Sequence, residues 1–171
     1  MTFQANDYDA LSKLPYFTYG SLMDGQVFAL VSGMALPTDA QLAWAEGRKR
    51  SRFAKQSYPI MSDSPGDRVF GLCVPALPAE VLARIHAYES EDYRLEPMSL
   101  QSMDGPIDAV TFMPTGRAEP GSAVWHMSQW RSEAKPMILW IMPQINAKRD
   151  QLTMAEADVL FDVLEVEWHK R

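Results

Sequence analysis

The sequence predicts an α+β fold built on a mostly antiparallel sheet, one able to close into a barrel. Three observations carry this reading. The β-prone runs are short, and two of them, 93–100 and 107–113, are joined by the hairpin dipeptide Asp104-Gly105. Helical periodicities fall between the strands irregularly instead of alternating as βαβ units. A further amphipathic helix stands near the C-terminal end. With 171 residues, one domain is the default, and about two-thirds of the chain's surface can be buried without a metal or disulfide staple.

Taken in order, 15–19 is aromatic and reads as a strand. Tyr19-Gly20-Ser21-Leu22-Met23 follows as a turn. Asp24 then caps a helix over 25–32, with Val27, Leu30 and Val31 on one face and Gly33 as its stop. The stretch 48–68 is basic at its start and then turn-rich. Arg48, Lys49, Arg50 and Arg52 read as a solvated loop, with an anionic substrate tail as the less favoured reading. A strand follows at 69–74. Pro78 opens a helix whose buried face carries Val81, Leu82, Ile85 and Tyr88, ending near Glu89. The apolar run 137–142, closed by Pro136 and Pro143, reads as a buried strand or a packed tail. Thr153-Met154-Ala155-Glu156 is a capping-box pattern. Val159, Leu160, Val163, Leu164 and Val166 give the last helix an apolar stripe, expected to be buried on the body or across a homodimer. Trp125, Trp130, Trp140 and Trp168 read as packing residues, with Trp125 the best placed to wall a pocket.

Acidic residues outnumber basic ones 22 to 16, so no nucleic-acid partner is expected. No run approaches the ~20 apolar residues of a membrane span. The first fourteen residues hold Asp7 and Asp9 and lack the apolar core of a secretory signal. The lone Cys73, in an apolar strand, fits a buried thiol in a reducing compartment. A cytoplasmic protein without a membrane partner is expected. Familiar catalytic signatures are missing. Ser21 lies outside a Gly-x-Ser-x-Gly elbow. His86 and Glu89 lack the further ligands of a metal site, so none is expected. Neither a Walker A nor a Gly-x-Gly-x-x-Gly motif is present, so no cofactor is expected.

What remains is Glu89-Ser90-Glu91-Asp92-Tyr93. Its plain reading is a solvated acidic turn. Glu89 differs from its neighbours because it follows the buried Tyr88 and sits at a helix C-terminus. Both effects, with like-charge repulsion from Glu91 and Asp92, favour a carboxyl that holds its proton toward neutral pH, as a general base requires.

Phe17-Thr18-Tyr19-Gly20-Ser21-Leu22-Met23 resembles the signature loop of the γ-glutamylcyclotransferase-like (AIG2-like) family. Further matches follow in order: Tyr58-Pro59, then Val69-Phe70-Gly71-Leu72-Cys73, then Glu89 to Tyr93 as Glu-x-x-x-Tyr, and later Ala109 to Phe112 and Trp125. Together they cover roughly 15–131. The resemblance implies a small mixed β-barrel with flanking helices and a substrate cavity beside the Tyr-Gly-Ser-Leu loop. By position it makes Glu89 the catalytic acid/base and Tyr19, Gly20, Ser21 and Leu22 the substrate-binding loop. Tyr93 joins them as a substrate-binding candidate, although on a strand it also reads as a core aromatic. The implied activity is a cofactor-independent cyclotransferase of acyltransferase or amine-lyase type. It converts a small γ-glutamyl amide into 5-oxoproline and a free amine. The alternative is a non-catalytic small-ligand-binding or protein-interaction module on the same fold. This chain has His86 where the family often has Asp, and Ser90 where it often has Gly. The expected organisation is an arm at 1–14, the family domain at 15–135 and an extension at 136–171, the last without a counterpart in the family pattern.

Overall fold

A computed structural model describes residues 7–54 and 56–171. The first six residues of the N-terminal arm therefore lie outside the described residues. The fold is α+β. Its strands are β1 (Tyr16–Thr18), β2 (Gln41–Phe53), β3 (Pro59–Val74), β4 (Tyr93–Ser102), β5 (Gly105–Pro114) and β6 (Pro120–Val124). They run in the order β3-β1-β5-β4-β2-β6, and β2 pairs back onto β3. Five strands thus close a barrel, and β6 continues the sheet from β2. The barrel is mixed because β1 pairs in parallel with β5, Tyr16 facing Val110, while the other pairings are antiparallel.

Side-chain alternation sorts the chain into two apolar layers. Phe17, Tyr19, Ala43, Ala45, Met61, Val69 and Cys73 fill the barrel together with residues of β4 and β5. The helices pack outside it around Tyr16, Val74, Leu95, Val110 and Phe112. Gly71 permits the tightest approach within the barrel. A Cβ there would collide with the Thr18 carbonyl and the Phe17 ring.

The 48–68 region is not a loop. It spans most of a long antiparallel ribbon of β2 and β3, with a register slip between Glu46 and Arg48. Most of its charged side chains line the outer face, while Ala43, Ala45, Met61 and Val69 turn into the barrel. Arg48 and Arg52 pair with Asp63 and Glu133. The four residues of α1 (Tyr8–Leu11) lie against α3 (Ala79–Glu89). The α2 helix (Gly25–Ser32) is capped by Asp24, whose Oδ1 accepts from the Val27 amide at 3.2 Å, and it stops at a left-handed Gly33.

The apolar run 137–142 is helical and belongs to α5 (Lys135–Asn146). Pro136 sits in its first turn, where a missing N–H costs nothing, and Pro143 is carried within the helix. Met137, Ile138, Ile141, Met142 and Ile145 enter the same core as α2 and the short α4 (Met127–Glu133). The last helix, α6 (Met154–Trp168), has the expected capping box between Thr153 and Glu156. Its buried face differs from the expected stripe. Leu164 is buried, with Ala157, Leu160, Phe161 and Trp168 packed around the core, whereas Val159, Val163 and Val166 are exposed. Among the described residues, no helix is long and apolar enough to cross a membrane.

Candidate active site

Glu89 is the last residue of α3, and the helix brings its carboxyl to a cavity of about 420 Å³. Tyr19, Gly20, Ser21 and Tyr93 line the same cavity, so two segments some seventy positions apart meet there. A direct bond holds them together: Ser21 Oγ and Tyr88 Oη lie 2.8 Å apart. Gly20 lets the loop lie against the start of β3, since a Cβ would come within 2.5 Å of Pro59 Cγ. Leu22, expected to face the substrate, does not line the cavity. Its side chain is buried in the helical core, as the first turn after Gly20 directs it inward.

The aromatic rim is fixed by its own hydrogen bonds. Tyr19 donates to the Phe112 carbonyl at 2.6 Å, and Tyr93 donates to the Pro59 carbonyl at 2.8 Å. Both hydroxyls are buried and committed, so these residues shape the cavity wall. Arg50 is turned inward from β2, where it donates to the Tyr19 carbonyl at 2.8 Å and stacks 5.1 Å from the Trp125 ring. One member of the basic cluster therefore braces the loop. Trp125 is buried beneath Arg50, donates to the Ser57 carbonyl and lies away from the cavity lining. Its expected role as a pocket wall falls instead to Tyr58, Tyr88 and the tail.

Glu89 makes no hydrogen bond or ion pair among the described residues. Burial pushes its carboxyl up to about 8. Like charges are not what raise it. Glu91 and Asp92 turn outward and pair with Arg117. Burial foremost, with the Glu89 charge adding to it, lifts the hydroxyls of Tyr16, Tyr19, Tyr58, Tyr88 and Tyr93 above their usual range. Glu89 is thus a carboxyl in a ring of tyrosines that stay protonated.

The two departures from the family pattern have local consequences. His86 is buried, with Nε2 3.1 Å from the Tyr93 carbonyl and Nδ1 2.5 Å from the Tyr8 hydroxyl. A carbonyl only accepts, so Nε2 carries the proton and Nδ1 accepts from Tyr8. This histidine ties the end of α3 to α1 and to the start of β4. Ser90 has φ 69° and ψ −179°, a region that glycine enters freely and serine enters under strain. The turn is nevertheless kept, with Ser90 Oγ accepting from the Asp92 amide at 3.2 Å.

The C-terminal extension supplies a full wall of the cavity: Met142, Ile145, Arg149, Met154, Asp158 and Phe161 all line it. Asp158, on α6, lines the cavity beside Glu91 and Asp92 of the turn after Glu89. Its carboxyl is pushed up to about 6, by burial first and then by Glu91, Asp92 and Asp162. These contributors escape sequence reasoning because their pattern is that of an ordinary amphipathic helix. Among the described residues, no cluster of three or more His, Cys, Asp or Glu side chains could hold a metal ion.

A mixed five-stranded barrel whose side cavity joins a Tyr-Gly-Ser loop to a half-buried helix-end glutamate defines a recognisable protein class. Residues 16–132 match the family described as "Gamma-glutamyl cyclotransferase, AIG2-like", and the chain belongs to that family. Among solved structures it is similar to an Arabidopsis thaliana protein at 21% identity, covering 86% of this chain and 98% of that one with a TM-score of 0.58. A second Arabidopsis thaliana protein matches at 21% identity over 84% of this chain and 90% of that one, with a TM-score of 0.56. A structure titled "Gamma-glutamyl cyclotransferase" matches at 17% identity over 86% and 85%, with a TM-score of 0.51. At these identities the likeness is one of fold. No curated protein matches the chain.

Proposed function

We propose that the protein is a γ-glutamylcyclotransferase that cyclises a small γ-glutamyl amide to 5-oxoproline and releases the amine. One observation carries the reading. The unpaired Glu89 carboxyl opens on the cavity rimmed by Tyr19, Gly20 and Ser21, and burial has moved it up to about 8. Such a group can both take and return a proton near neutral pH.

The chemistry asks little more of the protein. Ionised Glu89 removes a proton from the substrate's α-ammonium. The freed amine attacks the side-chain amide carbon, forming the ring C–N bond. The tetrahedral oxygen is stabilised by amides of the turn at Gly20 to Leu22, whose first N–H groups have no partner within the turn itself. The old C–N bond then breaks as Glu89 returns its proton to the leaving amine. The second proton of the ring nitrogen passes to that amine by the same carboxylate, so the products are 5-oxoproline, with a neutral ring amide, and a free ammonium, balanced without water or a protein nucleophile. Reaction within one molecule supplies much of the rate. The free, buried Cys73 fits a reducing, cytoplasmic setting for this activity.

The test is a panel of γ-glutamyl amides assayed for 5-oxoproline, with wild type beside Glu89→Gln. Product from wild type and none from the variant is the expected result. No product from any member of the panel overturns the assignment.

A further inference from the structure

The tail that walls the cavity carries a cation with no acidic partner. Arg149 lies in the short turn between α5 and α6 and lines the cavity. Nη2 donates to Asn146 Oδ1 at 2.6 Å, and Asn146 Nδ2 donates in turn to the Leu30 carbonyl at 3.0 Å. The guanidinium is therefore anchored through Asn146 to α2. Nη1 is cut off from solvent and has no hydrogen-bond partner among the described residues. No carboxylate there lies within ion-pair distance of Arg149. The other arginine lining the cavity, Arg117, is by contrast occupied by Glu91 and Asp92.

A sequestered N–H with no acceptor costs stability, and more so on a charged group. Burial, followed by repulsion from Arg84, lowers the Arg149 pKa against the opposing pull of Asp150. A guanidinium at the cavity wall, pre-aligned by one hydrogen bond and without an acidic partner, is matched in charge by a carboxylate.

The geometry points to Arg149 as a carboxylate-binding residue of the cavity, its missing partner being supplied by the substrate. The inference rests on the cyclotransferase reading for its place in a reaction, though not for the binding itself. Two carboxylates could fill the role: the α-carboxylate of the γ-glutamyl group, or a carboxylate on the leaving amine. Arg149 lies beyond residues 16–132, so this contact is supplied by the part of the chain outside the family match. Arg149 is thus a binding residue and not a catalytic one.

Two measurements test this. Calorimetry with glutarate and its neutral diamide, on wild type, Arg149→Gln and Arg149→Lys, reads carboxylate binding without any turnover. Wild type should prefer glutarate by about ten-fold or more, as expected for one charge-assisted contact. Arg149→Gln should lose the preference, and Arg149→Lys should keep part of it. Equal binding of both probes by wild type, or a preference that survives in Arg149→Gln, overturns the assignment. Thermal melts of the three proteins separate loss of the contact from loss of the fold. The second measurement compares turnover of γ-glutamylglycine and γ-glutamylmethylamide. An equal rise in KM for both in Arg149→Gln, with kcat little changed, assigns the contact to the α-carboxylate. A rise for γ-glutamylglycine alone assigns it to the leaving group, and no rise for either overturns the proposal. If wild type turns over neither compound, the cyclotransferase reading fails for them, and calorimetry alone decides the carboxylate site.

Discussion

Replacing Glu89 by Gln should make the protein more stable as pH rises, relative to wild type. In the unfolded chain this carboxyl ionises near 4.5, whereas in the folded protein it holds its proton up to about 8. Below 4.5 both states are protonated and the group imposes no penalty. Between 4.5 and 8 the unfolded chain has released a proton that the folded protein retains. Stability then falls with rising pH by ~1.4 kcal/mol per pH unit. Across the window from 4.5 to about 8 the accumulated cost is about 5 kcal/mol, level at higher pH. That figure is a ceiling, because the cavity gives the carboxylate some access to water. Gln is neutral throughout and escapes the penalty, though its amide brings a fixed cost in a site without hydrogen-bond partners. Urea unfolding of both proteins at intervals from about pH 4 to 9, extrapolated linearly, reads the difference. The variant should gain on wild type through the window and then hold its lead. A difference that is constant with pH, or that narrows as pH rises, would refute the burial argument.

On a substrate that wild type turns over, Glu89→Gln should lower kcat by about 10²–10⁴-fold while substrate binding persists. Glu91→Gln should change kcat little, because Glu91 points toward Arg117. Wild-type kcat/KM should climb with pH toward about 8 as Glu89 ionises; a profile already flat below pH 6 would contradict the assigned base. Ser90→Gly should stabilise the fold by about 1 kcal/mol, relieving strained backbone but adding freedom to the unfolded chain, and calorimetric melting should show a rise of ~2–4 °C. Burial alone would raise the Asp24 carboxyl, but bonds from Lys135, the Val27 amide and Arg131 outweigh it and hold it below its usual range. Its contribution should be full above about pH 4 and vanish as pH falls through the lowered value, so Asp24→Asn should cost ~1–3 kcal/mol at neutral pH and progressively less in acid.

The parts of the fold legible in the sequence are those where local chemistry and tertiary structure agree. Asp24 and Gly33 bound α2 because cap and left-handed stop are local demands, and α3 ends at Glu89 as its apolar spacing requires. The β4–β5 hairpin falls where Asp104-Gly105 signals it, shifted by one residue: the loop is Met103-Asp104, and Gly105 opens β5 opposite Ser102. The β2–β3 ribbon is obscured because its inward positions include Ala43 and Ala45, which are poor strand signals, while its outer face carries the charges of a loop. The 137–142 run is apolar on every side, so neither a two-residue nor a 3.6-residue period stands out. In α6 the valines suggest one stripe, yet the helix turns Leu164, Phe161 and Trp168 inward and leaves Val159, Val163 and Val166 outside. At the site, Glu89 and the loop could be paired from motif order. Arg149 and Asp158 could not, since their significance arises only where α5 and α6 fold back over the barrel.

That folding back also sets an order of events during synthesis. The barrel, the Tyr-Gly-Ser loop and Glu89 all leave the ribosome before α5 and α6, and domains begin to organise as they emerge. Until the tail docks, the barrel can hold Glu89 in place, but one side of the cavity stands open to water. In that interval nothing shields the carboxyl on that flank, and its proton affinity is set by solvent more than by the protein. The carboxyl acquires its raised pKa when the last two helices close over it. A nascent or clipped chain without α5 and α6 can therefore have an assembled barrel around an unshielded Glu89, which makes those two helices, on the proposed cyclotransferase reading, a condition of activity as well as of stability.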